Sequence, residues 1–366
     1  MAWQDSKAAQ VELDWKRYSS NKRIRRQRNG IGIVLYRFRF SFGDAATGKV
    51  HNVYKKLRII NSVFGGECAI IIAIAGVRKR RNNMKLGITM EGGANRAIFS
   101  CGVMDAFLDE NIMPDYFIGV SAGIAYGTSY ISKQKGRNLK IAKEYVQDKR
   151  YMGMSHLINR NERSFFNVDF IFGEIPEKLV PFDYDTFAAF PGEVVAVATN
   201  IHTGEAEYLP VPRDDRKFNT VVASCALPLL FQPVKVGHHY YVDGGVADSI
   251  PYKKALEAGC DKNIVVLTQQ RDYRKGTNHS TKLFSKMYRR YPKVAEAMLA
   301  RAEKYNACLE ELRELEKEGK VFIIAPEDTY GVGRAERNMD KLERLYDEGY
   351  NETRLLMPRL REYLEA

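Results

Sequence analysis

The sequence has few cysteines, no long hydrophobic run and no visible secretory signal. Its 366 residues include five cysteines, and no two of them form a C-x-x-C pair. This argues against a disulfide framework or a zinc knuckle and fits a reducing compartment, so we expect a cytoplasmic protein. The longest apolar run, residues 68–77, is too short for a membrane span, which needs about 20 residues. A surface-lying anchor stays open as an alternative, with the protein peripheral at the membrane.

The charge of the chain is divided unevenly. The whole sequence has a formal net charge of +12, but residues 1–83 contain 18 Lys and Arg against 5 Asp and Glu. The remaining residues, 84–366, contain 39 basic and 40 acidic side chains. Because this larger part is close to neutral, we expect no nucleic-acid partner for it. It is also long enough to bury a core, and its composition excludes a collagenous or wholly disordered chain.

Residues 1–83 fit two interpretations. Their positive charge, with a basic cluster at residues 22–28, is typical of an arm that docks on anionic lipid or nucleic acid. Alternatively, they form a disordered extension or follow a mis-assigned start, because residue 84 is a methionine placed directly before a strand pattern. We favour the second interpretation.

From residue 84 onward, short β-branched runs alternate with helical patterns, which predicts βαβ units and a mainly parallel sheet. The predicted strands are residues 86–90, 116–120, 194–199, 206–210, 239–242, 264–267 and 321–325. The predicted helices are residues 98–109, 122–133, 138–146, 251–258 and 282–318, followed by an amphipathic pattern from residue 334 to the end. We expect a catalytic domain at residues 84–275 and a mostly helical C-terminal region at 276–366. The charges of the 282–318 helix predict a solvated face; a lid or a dimer face stays open.

The first chemical motif is G-V-S-A-G at residues 119–123, between a predicted strand and a predicted helix. A serine at such a junction occupies a sharp turn, and Gly119 and Gly123 remove side chains that would collide there. The start of the helix also favours a developing negative charge. Ser121 is therefore a candidate nucleophile, with an ordinary tight turn as the alternative.

The second motif, at residues 91–97, also follows a strand and precedes a helix. Gly92, Gly93 and Ala94 are small, so their backbone N–H groups can turn toward one point. No phosphate-loop spacing fits, which leaves an oxyanion hole or a tight turn. Arg96 can brace this loop or meet an anionic group.

The third motif places Asp243 at the end of a strand, followed by Gly244 and Gly245. A carboxylate there can reach a serine hydroxyl above the sheet. A serine hydrolase usually pairs its serine with histidine, but only His279 follows Asp243 in the order of an α/β-hydrolase triad. Of the six histidines, His238 and His239 also lie near this strand. A Ser121–Asp243 dyad is the economical choice.

Together these motifs resemble those of bacterial patatin-like phospholipases, G-G-G-x-[RK]-G, then G-x-S-x-G, then D-G-[GA]. Here they read G-G-A-N-R-A at 92–97, G-V-S-A-G at 119–123 and D-G-G at 243–245. The stretch S-C-A-L-P at 224–228 is similar to the family's S-x-A-x-P turn. The resemblance spans residues 86–270. It implies a three-layer α/β/α fold, Ser121 as nucleophile, Asp243 as its partner, and no metal or organic cofactor.

The sequence departs from the family pattern at two positions. Ala94 and Ala97 stand where the family has glycine. Where the backbone needs a positive φ, alanine costs about 1–2 kcal/mol relative to glycine. We therefore expect the oxyanion loop, formed by Gly92, Gly93 and Ala94, to be the part that departs most from the family.

The resemblance implies a serine hydrolase of lipid acyl esters, of the phospholipase A, lysophospholipase or carboxylesterase type. Its partner is then a lipid acyl ester, met in transient contact with a membrane surface. Two alternatives stay open. One is an acyltransferase on the same scaffold, although those enzymes commonly use a histidine partner. The other is a non-catalytic lipid-binding or scaffold protein with a damaged oxyanion loop, which Ala94 and Ala97 favour.

Overall fold

A computed structural model describes residues 84–158, 164–276 and 289–366, together with the backbone of three short strands nearer the start of the chain. Those strands, β1 (Val34–Leu35), β2 (Ile59–Phe64) and β3 (Glu67–Ile72), form a small antiparallel sheet. The basic cluster at 22–28 lies outside the described residues, so both interpretations of residues 1–83 stay predictions. The chain from Met84 to Ala366 forms a compact unit.

The central sheet has eight strands within the described part of the chain. They are β4 (Leu86–Met90), β5 (Tyr116–Val120), β6 (Glu193–Asn200), β7 (Ala206–Pro210), β8 (Val234–Val236), β9 (His239–Asp243), β10 (Lys262–Val266) and β11 (Val321–Ile324). Their order is β11-β10-β4-β5-β6-β9-β8, with β7 also paired to β6. The strands from β11 to β6 run parallel, and the pairs that involve β7, β8 and β9 are antiparallel. Every predicted strand is confirmed within two residues of its expected ends.

Helices follow most strands. Among the described residues they are α1 (Ile98–Asp109), α2 (Ala122–Ile131), α3 (Arg137–Tyr145), α4 (Met154–Ile158), α5 (Tyr184–Ala188), α6 (Asn219–Cys225), α7 (Tyr252–Glu257), α8 (Pro292–Lys317) and α9 (Met339–Glu365). A π-helical segment, Phe170–Leu179, lies between α4 and α5. The sequence patterns missed this segment and α4, α5 and α6, because short helices hold too few turns to show a period.

The sheet is covered on both faces, which gives three layers. Side chains of β10 alternate between two cores: Ile264 and Val266 pack in the core that includes α1 and α9, whereas Val265 packs with α7 and α8. All five residues of β4 and all five of β5 are buried. Strands buried on both faces show continuous apolar runs and suit parallel pairing. The predicted α/β/α fold with a mainly parallel sheet and a helical C-terminal extension is confirmed.

The long C-terminal helix begins later than the sequence pattern predicted. We expected it to start at residue 282, but α8 starts at Pro292, and residues 282–288 lie outside the described part of the chain. A proline restricts the residue before it to extended conformations, and Tyr291 has φ −135° and ψ 69°. Proline itself suits the first helical turn, since it lacks an N–H group. The predicted domain boundary at residue 275 stays a prediction.

The last helix is tightly docked on the first. A Cβ atom on Gly102 of α1 would lie 2.1 Å from the carbonyl oxygen of Tyr346, and one on Gly349 of α9 would lie 2.1 Å from that of Phe99. The two glycines therefore let the helix backbones approach each other. The Tyr346 hydroxyl also donates a 2.6 Å hydrogen bond to the buried carboxylate of Asp105 on α1.

Candidate active site

Ser121 lies at the turn between β5 and α2, where the sequence predicted it. Its φ of 53° is unusual for a residue with a side chain. Such strain persists only where the surrounding structure holds the backbone in place. The chain is crowded here: a Cβ on Gly119 would lie 2.7 Å from the backbone nitrogen of Ile124, and one on Gly123 would lie 2.7 Å from the carbonyl oxygen of Glu91. Both motif glycines are thus needed for close approach.

Ser224 holds the strained turn. The backbone N–H of Ser121 donates to Ser224 Oγ over 2.8 Å, and the Ser224 hydroxyl donates to the carbonyl of Val197 on β6 over 2.6 Å. Ser224 is fully buried at the end of α6. The sequence placed it in the S-x-A-x-P turn but assigned it no role. Its two hydrogen bonds tie the backbone of Ser121 to the sheet.

Asp243 ends β9 and is only 3% exposed. Its Oδ1 accepts a 2.8 Å hydrogen bond from the N–H of Gly245, while Oδ2 is buried and accepts none from the described residues. Burial raises the pKa of this carboxyl group, and the nearby Ser121 hydroxyl, the Gly245 amide and Arg301 act in the opposite direction. The structure therefore brings Ser121 and Asp243 together, with one carboxylate oxygen free.

The glycines after Asp243 are also set by close contacts. A Cβ on Gly244 would lie 2.1 Å from the carbonyl oxygen of Val197, and one on Gly245 would lie 3.0 Å from Asp243 Oδ1. Gly244 and, through Ser224, the backbone of Ser121 thus both lie against Val197 of β6.

The predicted oxyanion loop lies against the serine. A Cβ on Gly92 would lie 3.0 Å from the Cβ of Ser121, and one on Gly93 would lie 2.8 Å from Thr268 Oγ1. Ala94 has a positive φ of 48°, whereas Ala97 has an ordinary φ of −67°. Of the two departures from the family pattern, only Ala94 is therefore strained. The Ala97 side chain is fully buried.

Ser121 opens onto an apolar cavity. This cavity has a volume of about 890 Å³, including its open mouth. It is lined mainly by the π-helical segment, α2, α3 and aromatic side chains, among them Phe166, Phe172, Phe182, Phe218 and Phe231. Cys225 lies beside Ser121 on the same wall, and burial raises the pKa of its thiol. The shape and chemistry suit a hydrocarbon chain.

Ser121 also borders a second cavity, of about 390 Å³ including the space open to solvent, whose lining is more polar. The two cavities share Ala94, Ser121 and Leu227 in their linings. Asp243, the oxyanion loop and four basic residues line the polar cavity: Arg96, Lys275, Arg301 and Arg334. Arg96, which the sequence singled out, thus lies at the site, and burial lowers the pKa of its guanidinium group.

The C-terminal region is built into this site. The Tyr305 hydroxyl of α8 donates to Glu91 over 2.9 Å, and Arg301 Nε donates to the carbonyl of Gly245. The Asn95 backbone N–H donates to the carbonyl of Arg334 over 3.2 Å. The oxyanion loop and the Asp243 turn are therefore both braced from outside the motif-bearing part of the chain.

The sequence motifs did not point to Lys275, Arg301 or Arg334 as residues of the site. One signal was present for Arg301, since it lies four residues after Ala297 and four before Tyr305, on the buried stripe of α8. A charged residue on an apolar helix face is unusual and points to a polar site. Lys275 and Arg334 lie in irregular segments, where no periodicity marks them.

Histidine does not contribute to either cavity within the described residues. His156 contacts the carbonyl of Lys149, and His202 packs against Tyr291. His238 and His239 are exposed and line neither cavity. His51 and His279 lie outside the described residues, so the alternative of a triad through His279 is not tested.

Within residues 84–158, 164–276 and 289–366, no cluster of His, Cys, Asp or Glu side chains has the arrangement to hold a metal ion. In the same ranges, no helix is both long and apolar enough to cross a bilayer.

The chain was compared with known protein families and curated proteins. The family model described as patatin-like phospholipase matches residues 88–256, and a second, a domain of unknown function (DUF6363), matches residues 291–365. YjjU, an uncharacterized protein of Escherichia coli (strain K12), is 25% identical over 188 residues, covering 50% of this chain and 52% of that protein. Probable lipid hydrolase 463L of Invertebrate iridescent virus 6 is 26% identical over 196 residues, covering 48% of this chain and 65% of that protein. The match thus spans about half to two thirds of these relatives.

Among solved structures, VipD from Legionella pneumophila superposes with a TM-score of 0.45 at 13% identity, covering 85% of this chain and 72% of that one. The matched family model covers the three motifs, most of the strands that carry them and the S-x-A-x-P turn. The patatin-like phospholipase model thus matches the motif-bearing part of this chain, residues 88–256.

Proposed function

We propose that the protein is a serine hydrolase that cleaves acyl esters of lipids through Ser121 and Asp243. The observation that carries this proposal is the pairing of a strained serine with a buried carboxylate whose Oδ2 has no hydrogen-bond partner among the described residues. The pair lies where an apolar cavity meets a polar one. An ester substrate has the same division between acyl chain and head group.

In the first step, Ser121 Oγ attacks the ester carbonyl and Asp243 Oδ2 takes the hydroxyl proton. A general base works best when its pKa is near the operating pH. Burial raises the pKa of Asp243, which makes it a stronger base than an exposed aspartate. When the tetrahedral intermediate collapses, the C–O bond to the alcohol breaks and the proton passes from Asp243 to the leaving alkoxide.

The negative charge on the tetrahedral oxygen is stabilised by backbone N–H groups of Gly92, Gly93 and Ala94. These residues line the polar cavity beside Ser121. The N-terminus of α2, which begins at the next residue, Ala122, adds a favourable dipole. Preorganised donors of this kind are commonly the largest single contribution to acyl-transfer catalysis.

In the second step, water attacks the acyl-enzyme. Asp243 takes a proton from the water, the bond between the acyl carbon and Ser121 Oγ breaks, and the proton returns to Ser121. The acyl chain occupies the apolar cavity until the free acid leaves. The oxyanion donors serve both steps, since both pass through a tetrahedral oxyanion.

The proposed setting is the cytoplasm, with transient contact at a membrane surface where the lipid is taken up. Four described cysteines, Cys101, Cys225, Cys260 and Cys308, are free thiols. Unpaired cysteines suit a reducing compartment.

The test uses Ser121→Ala and Asp243→Asn with p-nitrophenyl butyrate as substrate. Each variant is expected to lose roughly 10³-fold or more in kcat. Asp105→Asn, which alters another buried carboxyl with a raised pKa, is the matched control and should stay within about threefold. Full activity in either site variant would overturn the proposal.

Folding of Asp243→Asn can be checked independently. Because burial raises the pKa of Asp243 in the folded state, the native state favours the protonated carboxyl group. Its stabilising contribution is present below the unfolded pKa and is lost as pH rises through the folded pKa. We therefore expect Asp243→Asn to be at least as stable as wild type at pH 7 in thermal melts.

A non-catalytic scaffold is the second candidate, and the positive φ of Ala94 is the observation that favours it. A fluorophosphonate probe separates the two, because it labels only an activated serine. Labelling of wild type that is absent in Ser121→Ala supports the hydrolase. A folded wild-type protein without label supports the scaffold.

A further inference from the structure

The polar cavity holds more positive charge than its own carboxylates balance. Arg96, Lys275, Arg301 and Arg334 line it, and none of the four forms an ion pair within 4.0 Å in the described part of the chain. Most other described arginines and lysines with a nearby carboxylate lie at the exposed surface, where ion pairs contribute little. Ion pairing of the surface kind therefore does not account for the four cations around this cavity, since none of them has an ion-pair partner among the described residues.

The carboxylates that line this cavity are Glu91 and Asp243. Both oxygens of Glu91 accept hydrogen bonds from neutral donors, Oε1 from the Tyr305 hydroxyl over 2.9 Å and Oε2 from the backbone N–H of Thr268 over 2.7 Å. Asp243 faces Ser121 and Gly245. Two negative charges therefore face four positive ones, and neither carboxylate is paired directly with a cation.

Two of the four cations, Arg301 and Lys275, are held by contacts that leave N–H donors free, and Arg96 also keeps a free buried donor. Arg301 uses Nε to bind the carbonyl of Gly245, and the Lys275 ammonium lies 3.6 Å from the centroid of the Tyr305 ring. Arg96 Nε is buried and makes no hydrogen bond to a described residue. Guanidinium groups with free N–H donors match the geometry of a phosphate group.

The excess positive charge of the cavity also affects the pKa of Lys275. Burial, followed by repulsion from Arg301, lowers the pKa of its ammonium group to about 7. A bound anion would restore the charged form and gain a charge-assisted hydrogen bond. The cavity thus has the electrostatics of an anion site.

Building on the proposed hydrolase function, we propose that these four residues bind the phosphate group of an anionic phospholipid whose acyl ester lies at Ser121. Three of them, Lys275, Arg301 and Arg334, lie outside the residues that match the patatin-like model. A choline head group would bring a fixed positive charge toward the cations, and a neutral glyceride offers no anion. Residues beyond the patatin-like match therefore supply most of the head-group selection, while the motif-bearing region cleaves the ester.

The experiment measures kcat/KM of the full chain for dioctanoyl phosphatidic acid, dioctanoyl phosphatidylcholine and p-nitrophenyl butyrate. Wild type should prefer phosphatidic acid over phosphatidylcholine by roughly tenfold or more, because its phosphomonoester offers one more free acceptor oxygen and more negative charge, and a hydrogen bond to a charged group is typically worth that much. The double variant Lys275→Gln/Arg334→Gln should lose this preference, which is read as the ratio of its kcat/KM values for the two phospholipids. Arg334 also lowers the pKa of Asp243, and its backbone carbonyl braces the oxyanion loop, so the rate on p-nitrophenyl butyrate reports any change in the shared chemical step, which cancels in that ratio.

The matched control is Lys317→Gln/Arg359→Gln, which removes two positive charges from exposed positions of α8 and α9. It should retain the preference for phosphatidic acid, which excludes an effect of net charge. Equal kcat/KM for the two phospholipids in wild type would overturn the proposal, as would an unchanged preference in the cavity variant.

Binding distinguishes this proposal from the hydrolase function itself. Ser121→Ala cannot turn over, so calorimetry can titrate it with dioctanoyl phosphatidic acid and, separately, with inorganic phosphate. Saturable binding of the lipid that the cavity variant weakens at least tenfold supports the subsite, even when p-nitrophenyl butyrate is not cleaved. Binding of inorganic phosphate without binding of the lipid overturns the head-group assignment and leaves a free-phosphate site.

Discussion

The two matched regions of this chain contribute in different ways. Residues 88–256 carry the serine, the carboxylate and the small-residue loop, each at the end of a strand. Residues 291–365 contain no such motif, yet they supply Arg301, Arg334 and Tyr305 to the same site. The first region is recognisable because its chemistry needs fixed spacing along the chain. The second is not, because a charge can reach a cavity from any helix face or loop.

The largest predicted effect concerns the contact between α1 in the first region and α9 in the second. Gly349→Ala would place a Cβ 2.1 Å from the carbonyl oxygen of Phe99, so α9 must shift away from α1. Forced repacking of this kind costs up to about 3 kcal/mol. We expect a matching loss in the free energy of unfolding by urea, together with lower activity, since Arg334 next to α9 braces the oxyanion loop.

Asn351→Ala on the same helix is the control, because Asn351 is exposed. It should leave stability unchanged or slightly higher, as alanine favours helix. An unchanged unfolding free energy in Gly349→Ala would mean that the docking of the C-terminal helix is not tight.

Within the motif-bearing region, the prediction with the next largest effect concerns Ser224. Ser224→Ala leaves the N–H of Ser121 and the carbonyl of Val197 without their buried partner. Such a loss costs about 1–2 kcal/mol of stability. It should also lower kcat on p-nitrophenyl butyrate roughly tenfold or more, because the strained serine backbone is no longer held.

Ser100 provides the control for Ser224, since its hydroxyl is also fully buried but makes no hydrogen bond to a described residue. Ser100→Ala should be neutral or slightly stabilising. Equal effects at Ser100 and Ser224 would show that the hydrogen bonds of Ser224 do not support the turn.

The smallest predicted effects concern Ala94 and Ala97, the two alanines at positions where the family has glycine, and they are expected to have opposite signs. Ala94→Gly relieves a positive φ and should raise stability by about 0.5–1 kcal/mol. Ala97→Gly removes a buried side chain from an ordinary backbone position and should lower stability by about 0.5–1 kcal/mol. Thermal melts of both variants measure the difference, and shifts of the same sign would contradict the assignment of strain to Ala94 alone.

Much of the first region was predictable. The strands before Ser121, Asp243 and the Gly92 loop were confirmed, because short buried runs next to glycines are distinctive. The start of α8 at residue 282 was wrong, because Pro292 sets the first helical turn. The prediction that Ser121 acts as nucleophile with Asp243 stays a prediction, although the structure brings the two side chains together.

The sequence by itself determined the order of the longer helices and of seven of the eight strands in the central sheet, the three motifs and the resemblance to the patatin-like family. These depend on neighbours along the chain, where spacing sets geometry. Tertiary structure alone decided which of Ala94 and Ala97 is strained, that Ser224 anchors Ser121, and that Lys275, Arg301 and Arg334 share a cavity with Asp243. The physical reason is separation: Arg301 and Arg334 lie far along the chain from Ser121, and only packing against the sheet brings their charges to the serine.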